Sequence, residues 1–131
     1  MQFSTAQRPR LTRKDDVPAP VSFYGRTKLL GEELARRLER YWIFRLPVLF
    51  GPGPNSSLAA GLRALREGRE YVAASDQAGC VAHTEDSARK VLEVIEARAY
   101  GLFHVANQGA ASRLELAQRA AALAGLDPAR V

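Results

Sequence analysis

The run Trp42-Ile43-Phe44-Arg45-Leu46-Pro47-Val48-Leu49-Phe50 restricts the fold of this chain more than any other segment. Both alternating faces are apolar except at Arg45, so a strand built from it needs cover on both sides, as in a parallel sheet flanked by helices. Pro47 brings no N–H to a ladder and predicts a bulge or a local break.

The segments around that run alternate in period. Residues 4–21, with prolines at 9, 18 and 20, read as a loop. A helix over 22–40 follows, its apolar stripe marked by Leu30, Leu34 and Leu38. After a turn at 51–55, Leu58, Leu62 and Leu65 predict a helix over 57–67 that stops near Gly68. Tyr71-Val72-Ala73-Ala74 reads as a short strand leading into a polar turn through Gly79. Ala88, Val91, Leu92 and Ile95 place a third helix over 85–97, with Thr84 as N-cap. Residues 101–106 read as another strand, and Ser112-Arg113-Leu114-Glu115 is a capping-box signature for a last helix ending near Gly125. This alternation predicts an α/β fold with a parallel component, and 131 residues suit a single domain.

With 47% hydrophobic and 25% charged residues the chain reads as globular, and no apolar stretch reaches the ~20 residues of a membrane span. The N-terminus lacks the basic-then-apolar build of a signal peptide, so a cytoplasmic protein is expected. Cys80 is the single cysteine, and with His83 and His104 it forms no zinc-ligand pattern. The net charge of +5 comes from Lys and Arg mixed with Glu along helices, as in 32–40, which reads as solvated surface rather than a nucleic-acid footprint. Only the basic stretch Arg8–Lys14 gathers enough charge to draw an anion, and a sugar nucleotide diphosphate would serve.

Chemistry concentrates in Tyr24-Gly25-Arg26-Thr27-Lys28, near the start of the first helix. A spacing of four puts Tyr24 and Lys28 on one face. A free phenol, with a pKa of about 10, exchanges protons poorly at neutral pH, and a nearby cation favours the phenolate. The pair can therefore act in general acid/base catalysis; the structural reading is a half-buried aromatic beside a solvated lysine.

Five segments occur in one order: Asp15–Pro20, Tyr24–Glu32, Phe44–Asn55, Asp76-Gln77-Ala78-Gly79, and Phe103–Gly109 ahead of Ser112 and Glu115. Together they resemble the C-terminal half of extended short-chain dehydrogenases/reductases, in particular the dTDP-4-dehydrorhamnose reductase family, over about Ser4 to Gly125. The resemblance implies a partial Rossmann-like parallel sheet with flanking helices plus substrate-binding elements, the glycine-rich dinucleotide-binding half being absent from residues 1–131. Gly51-Pro52-Gly53-Pro54-Asn55-Ser56 is no substitute for that half, because it lacks a third glycine and its prolines remove amide donors.

The resemblance further implies NADPH-dependent reduction of a nucleotide-linked 4-keto-deoxysugar, as in dTDP-rhamnose biosynthesis. Tyr24 would supply the proton, Lys28 would stabilise the phenolate and hold the nicotinamide ribose, and Thr5 of Ser4-Thr5 would bond the carbonyl oxygen. Pro47 falls at the cofactor side; Pro47-Val48 departs from the Ser-Trp of rhamnose reductases. Asn55, Asp76 and Gln77 are substrate-side candidates, with turn formation as their structural reading. His83 reads as exposed near a helix start and His104 as a structural histidine, while Asn107-Gln108-Gly109 is expected to make fold-keeping contacts. Two alternatives stay open: a non-catalytic binding or regulatory module, and a shortened piece of a longer reductase or sugar-nucleotide epimerase/dehydratase. An uncovered sheet and helix surface would favour a homodimer or other self-association.

Overall fold

The computed structural model of the chain describes residues 16–53 and 56–131. The first helix, α1 (Phe23–Ala35), starts where the Ser22 hydroxyl accepts the Gly25 N–H at 3.0 Å. It is shorter than the expected 22–40. The N–H groups of Arg37 and Leu38 bond the carbonyls of Leu34 and Ala35, three residues back, so the chain tightens and leaves the helix.

The apolar run divides at Leu46-Pro47 into β1 (Trp42–Arg45) and β2 (Val48–Phe50). The two halves take different neighbours. β1 pairs in parallel with a later strand, Gly101–His104, and β2 pairs in parallel with Val81–His83. A prolyl nitrogen cannot donate, which makes Pro47 the natural place for the exchange. The strand expected over 101–106 stops at His104: Val105 N–H still reaches the Arg45 carbonyl at 3.0 Å, but Asn107 N–H donates to Val81 at 3.1 Å, crossing to the other pair.

α2 (Ser57–Arg66) is capped by Ser56, whose hydroxyl accepts the Ala59 N–H. The strand expected at Tyr71–Ala74 does not form. Its backbone is satisfied piecemeal, Tyr71 N–H by the Arg130 carbonyl and the Ala74 carbonyl by Leu114 N–H. The polar turn expected through Gly79 instead ends in β3 (Ala78–Gly79), which precedes β4 (Val81–His83). α3 (Thr84–Glu96) takes His83, not Thr84, as N-cap, because the extended backbone of β4 runs through His83 into the first helical residue. β5 (Gly101–His104) is the partner of β1, and β6 (Ala111–Ser112) lies antiparallel to β3 with Ser112 opposite Ala78.

α4 (Arg113–Leu123) opens on the expected capping box: Ser112 Oγ accepts Glu115 N–H at 3.0 Å and a Glu115 carboxylate oxygen accepts Ser112 N–H at 2.7 Å. Gly125, at φ 69°, turns the chain out of the helix, and a short 3-10 turn at Pro128–Arg130 follows.

Small residues let α2 and α4 approach closely. Gly61, Ala64 and Leu65 are buried on α2, and Ala117 and Ala121 are fully buried on α4. The Tyr71 ring lies on Gly61, in space that a β-carbon would occupy. On the sheet side Ile43, Ala82 and Val105 are buried. α1 contributes no buried residue; its expected stripe of Leu30, Leu34 and Leu38 is exposed. The architecture is α/β, with parallel strand pairs, flanking helices and one short antiparallel pair.

Candidate active site

Tyr24 and Lys28 occupy successive turns of α1, and Lys28 Nζ lies 5.2 Å from the Tyr24 ring centroid. The ammonium therefore sits over the ring rather than being bonded to the phenolic oxygen. Both side chains are open to solvent, Tyr24 at 70% exposure. One further turn along, Glu32 fastens the helix to the sheet: its carboxylate accepts two hydrogen bonds of 2.7 Å from Arg45. The Arg45 hydrogen bonds hold the Glu32 carboxyl below its ordinary value, against burial, which pushes the other way. Arg45 ends β1 beside His104 at the end of β5, with 3.5 Å between Arg45 Nη1 and His104 Nε2. Open parallel sheets receive ligands at these C-terminal strand ends.

Pro47 is half-buried at the joint between β1 and β2. Beside it, Val48 lines two adjoining cavities of about 120 and about 140 Å3. The first is walled by Gln77, Cys80 and Val81, the second by Phe50, Leu58 and Tyr71, and Arg113 and Leu116 border both. Gln77 thus comes to the Val48 side of the sheet, while Asp76 is exposed in the preceding turn and does not line either cavity. Thr5 and Asn55 lie outside the described residues. Tyr24 and Lys28 line neither cavity.

His83, expected to be exposed, is half-buried with its ring edge-on to Phe50 at 5.3 Å. His104, expected to be a satisfied structural histidine, is exposed beside Arg45. Asn107 makes fold-keeping contacts through its side chain as well as its backbone: Oδ1 accepts His83 N–H at 2.7 Å and Nδ2 donates to Asp86 at 3.0 Å. Among the described residues no group of three or more His, Cys, Asp or Glu could hold a metal ion, and no helix is long and apolar enough to cross a membrane.

Sequence reasoning missed two residues. Arg45 stood out as the charge in an apolar strand, but nothing marked Glu32 as its partner. Arg113 reads in the sequence only as the interior of a capping box.

Paired parallel strands with flanking helices define an α/β fold of the Rossmann-like class. Residues 3–131 match the family model described as the RmlD substrate binding domain, and the chain belongs to that family. It is 33% identical to dTDP-4-dehydrorhamnose reductase of Mycolicibacterium smegmatis over 98% of this chain and 40% of that one. The structure is similar to that of dTDP-4-dehydrorhamnose reductase from Bacillus anthracis in complex with NADP (TM-score 0.85, 29% identity, 92% of this chain, 43% of that one). It is also similar to the Clostridium acetobutylicum protein (TM-score 0.84, 33% identity, 92% and 43%). The chain spans about two fifths of the length of these relatives.

Proposed function

We propose that these 131 residues carry the catalytic helix and substrate side of an NADPH-dependent reductase acting on a nucleotide-linked 4-keto-deoxysugar. The observation that carries this reading is the Tyr24–Lys28 pair, 5.2 Å from ammonium to ring centroid on a solvent-open face. Relatives named for the same reduction support it.

In this scheme Lys28 and Pro47 would hold a nicotinamide cofactor, which would supply the hydride for the carbonyl carbon. Tyr24 gives its phenolic proton to the carbonyl oxygen, and Lys28 stabilises the phenolate left behind. Thr5 bonds the carbonyl oxygen. Lys28, with three donors on a flexible stem, suits the hydroxyls of a nicotinamide ribose, and Pro47 lies on the cofactor side. The turn at Gly51 does not suit a pyrophosphate, because the Thr84 hydroxyl already fills the space beside that glycine. Gln77, Asp76 and Asn55 are assigned in this scheme to the sugar nucleotide.

Replacing Tyr24 by Phe keeps the ring and deletes the proton. In a protein containing these residues together with a dinucleotide-binding half, NADPH oxidation driven by a dTDP-4-keto-6-deoxysugar should fall about a hundredfold or more in kcat. Turnover that survives Tyr24→Phe would exclude Tyr24 as the donor.

A second reading, a binding module without turnover, draws on the 70% exposure of Tyr24. Saturable micromolar binding of NADPH by the 131-residue chain would argue against it. Self-association belongs to the same proposal, through the uncovered leucines of α1.

A further inference from the structure

The two cavities beside Val48 share one charged wall residue. Arg113 is exposed, borders both spaces, and stands at the start of α4 with its backbone N–H donated to the Gln77 carbonyl at 3.1 Å. Ser112 Oγ and the Glu115 carboxylate are bonded in the capping box, so that motif does not use the Arg113 side chain. The guanidinium is close enough to the Tyr71 phenol to oppose, by its charge, the rise that burial imposes on that group.

The walls on either side differ in character. Toward Tyr71 they carry two aromatic residues, Phe50 and Tyr71, with Leu49 and Leu58. Toward Gln77 they are small and mostly apolar, with Ala78, Gly79 and Cys80 beside Gln77. The pair of cavities approaches the ~300 Å3 at which ligand clefts begin. A flat base that stacks on aromatic side chains suits the space toward Tyr71, and a planar guanidinium fork suits the oxygens of a phosphate passing between the two.

We propose that Arg113 is the phosphate-contacting residue of a nucleoside diphosphate site formed by the two cavities, the base on the Tyr71 side and the diphosphate against the guanidinium. This rests on the sugar-nucleotide reading given above and adds to it the residue that recognises the diphosphate. No feature of the capping box requires an arginine here, since the box uses Ser112 and Glu115.

The test compares the chain with its Arg113→Gln and Arg113→Lys variants, titrated with dTDP and with thymidine. Arg113→Gln should weaken dTDP about ten- to hundredfold, the range of a charge-assisted contact, and leave thymidine within about twofold; Arg113→Lys should fall between. Cys80 lines the first cavity and is the single cysteine, so dTDP should slow its alkylation in the parent chain and do so less in Arg113→Gln. Equal dTDP affinity in parent and variant, or equal loss of dTDP and thymidine, would overturn the proposal. A parent chain that binds neither probe would overturn the sugar-nucleotide reading with it, whereas dTDP binding indifferent to Arg113 would leave that reading standing.

Discussion

Glu32 and Arg45 meet through two hydrogen bonds of 2.7 Å, and this contact ties the helix bearing Tyr24 and Lys28 to the C-terminal end of β1. Glu32 sits one turn beyond Lys28, so a shift of this anchor moves the whole ladder of side chains. Both partners are largely covered, with side-chain exposures of 16% and 26%. Glu32→Gln should therefore cost about 1.5–3 kcal/mol, the range for hydrogen bonds to charged groups, measured by urea unfolding.

The same pair predicts a pH dependence. The folded Glu32 carboxyl is held below its ordinary value, so the folded state binds fewer protons than the unfolded chain across that interval. Its stabilisation is full above the ordinary carboxylate value of about 4.3 and fades as pH falls through the lower folded value. Urea midpoints taken from neutral pH downward should drop below about pH 4 more steeply for the parent chain than for Glu32→Gln.

Gly61 leaves no room for a methyl group, since a β-carbon there would overlap the Tyr71 ring. Gly61→Ala should destabilise by about 1–3 kcal/mol in thermal or urea unfolding, despite the higher helix propensity of alanine. Combining it with Tyr71→Leu should recover part of that loss, a coupling that a double-mutant cycle would detect.

Ser112 is buried and closes both arms of the capping box. Ser112→Ala should lower stability by about 1 kcal/mol and loosen the Arg113 backbone; amide exchange in the first turn of α4 would report it.

Leu30, Leu34 and Leu38 are 58%, 60% and 62% exposed along one side of α1 and the residues after it. Concentration-dependent association is expected in gel filtration, and Leu34→Glu should shift the chain toward monomer. A compact monomer at all concentrations in the parent chain would contradict this.

The helices were legible because their signals are local. Ser112 and Glu115 announce a cap through spacing alone, and the period of Ala88, Val91, Leu92 and Ile95 needs no knowledge of neighbours. Pro47 likewise marked its break in advance, because a missing donor acts at its own position. What stayed hidden depends on distant partners. Tyr71–Ala74 has strand composition, yet Arg130 and Leu114 claim its backbone from far along the chain. The Leu stripe of α1 has the right period for burial, but period states which residues align and not whether anything covers them. At the site, the Tyr24–Lys28 spacing was readable from helix geometry, whereas Arg113 came beside Val48 only through the β3–β6 pairing.

Proline fixes one of the two soft torsions at the joint between β1 and β2, so the connection behaves as a stiff elbow. A single proline thereby sets the angle at which one apolar run enters two separate strand pairs.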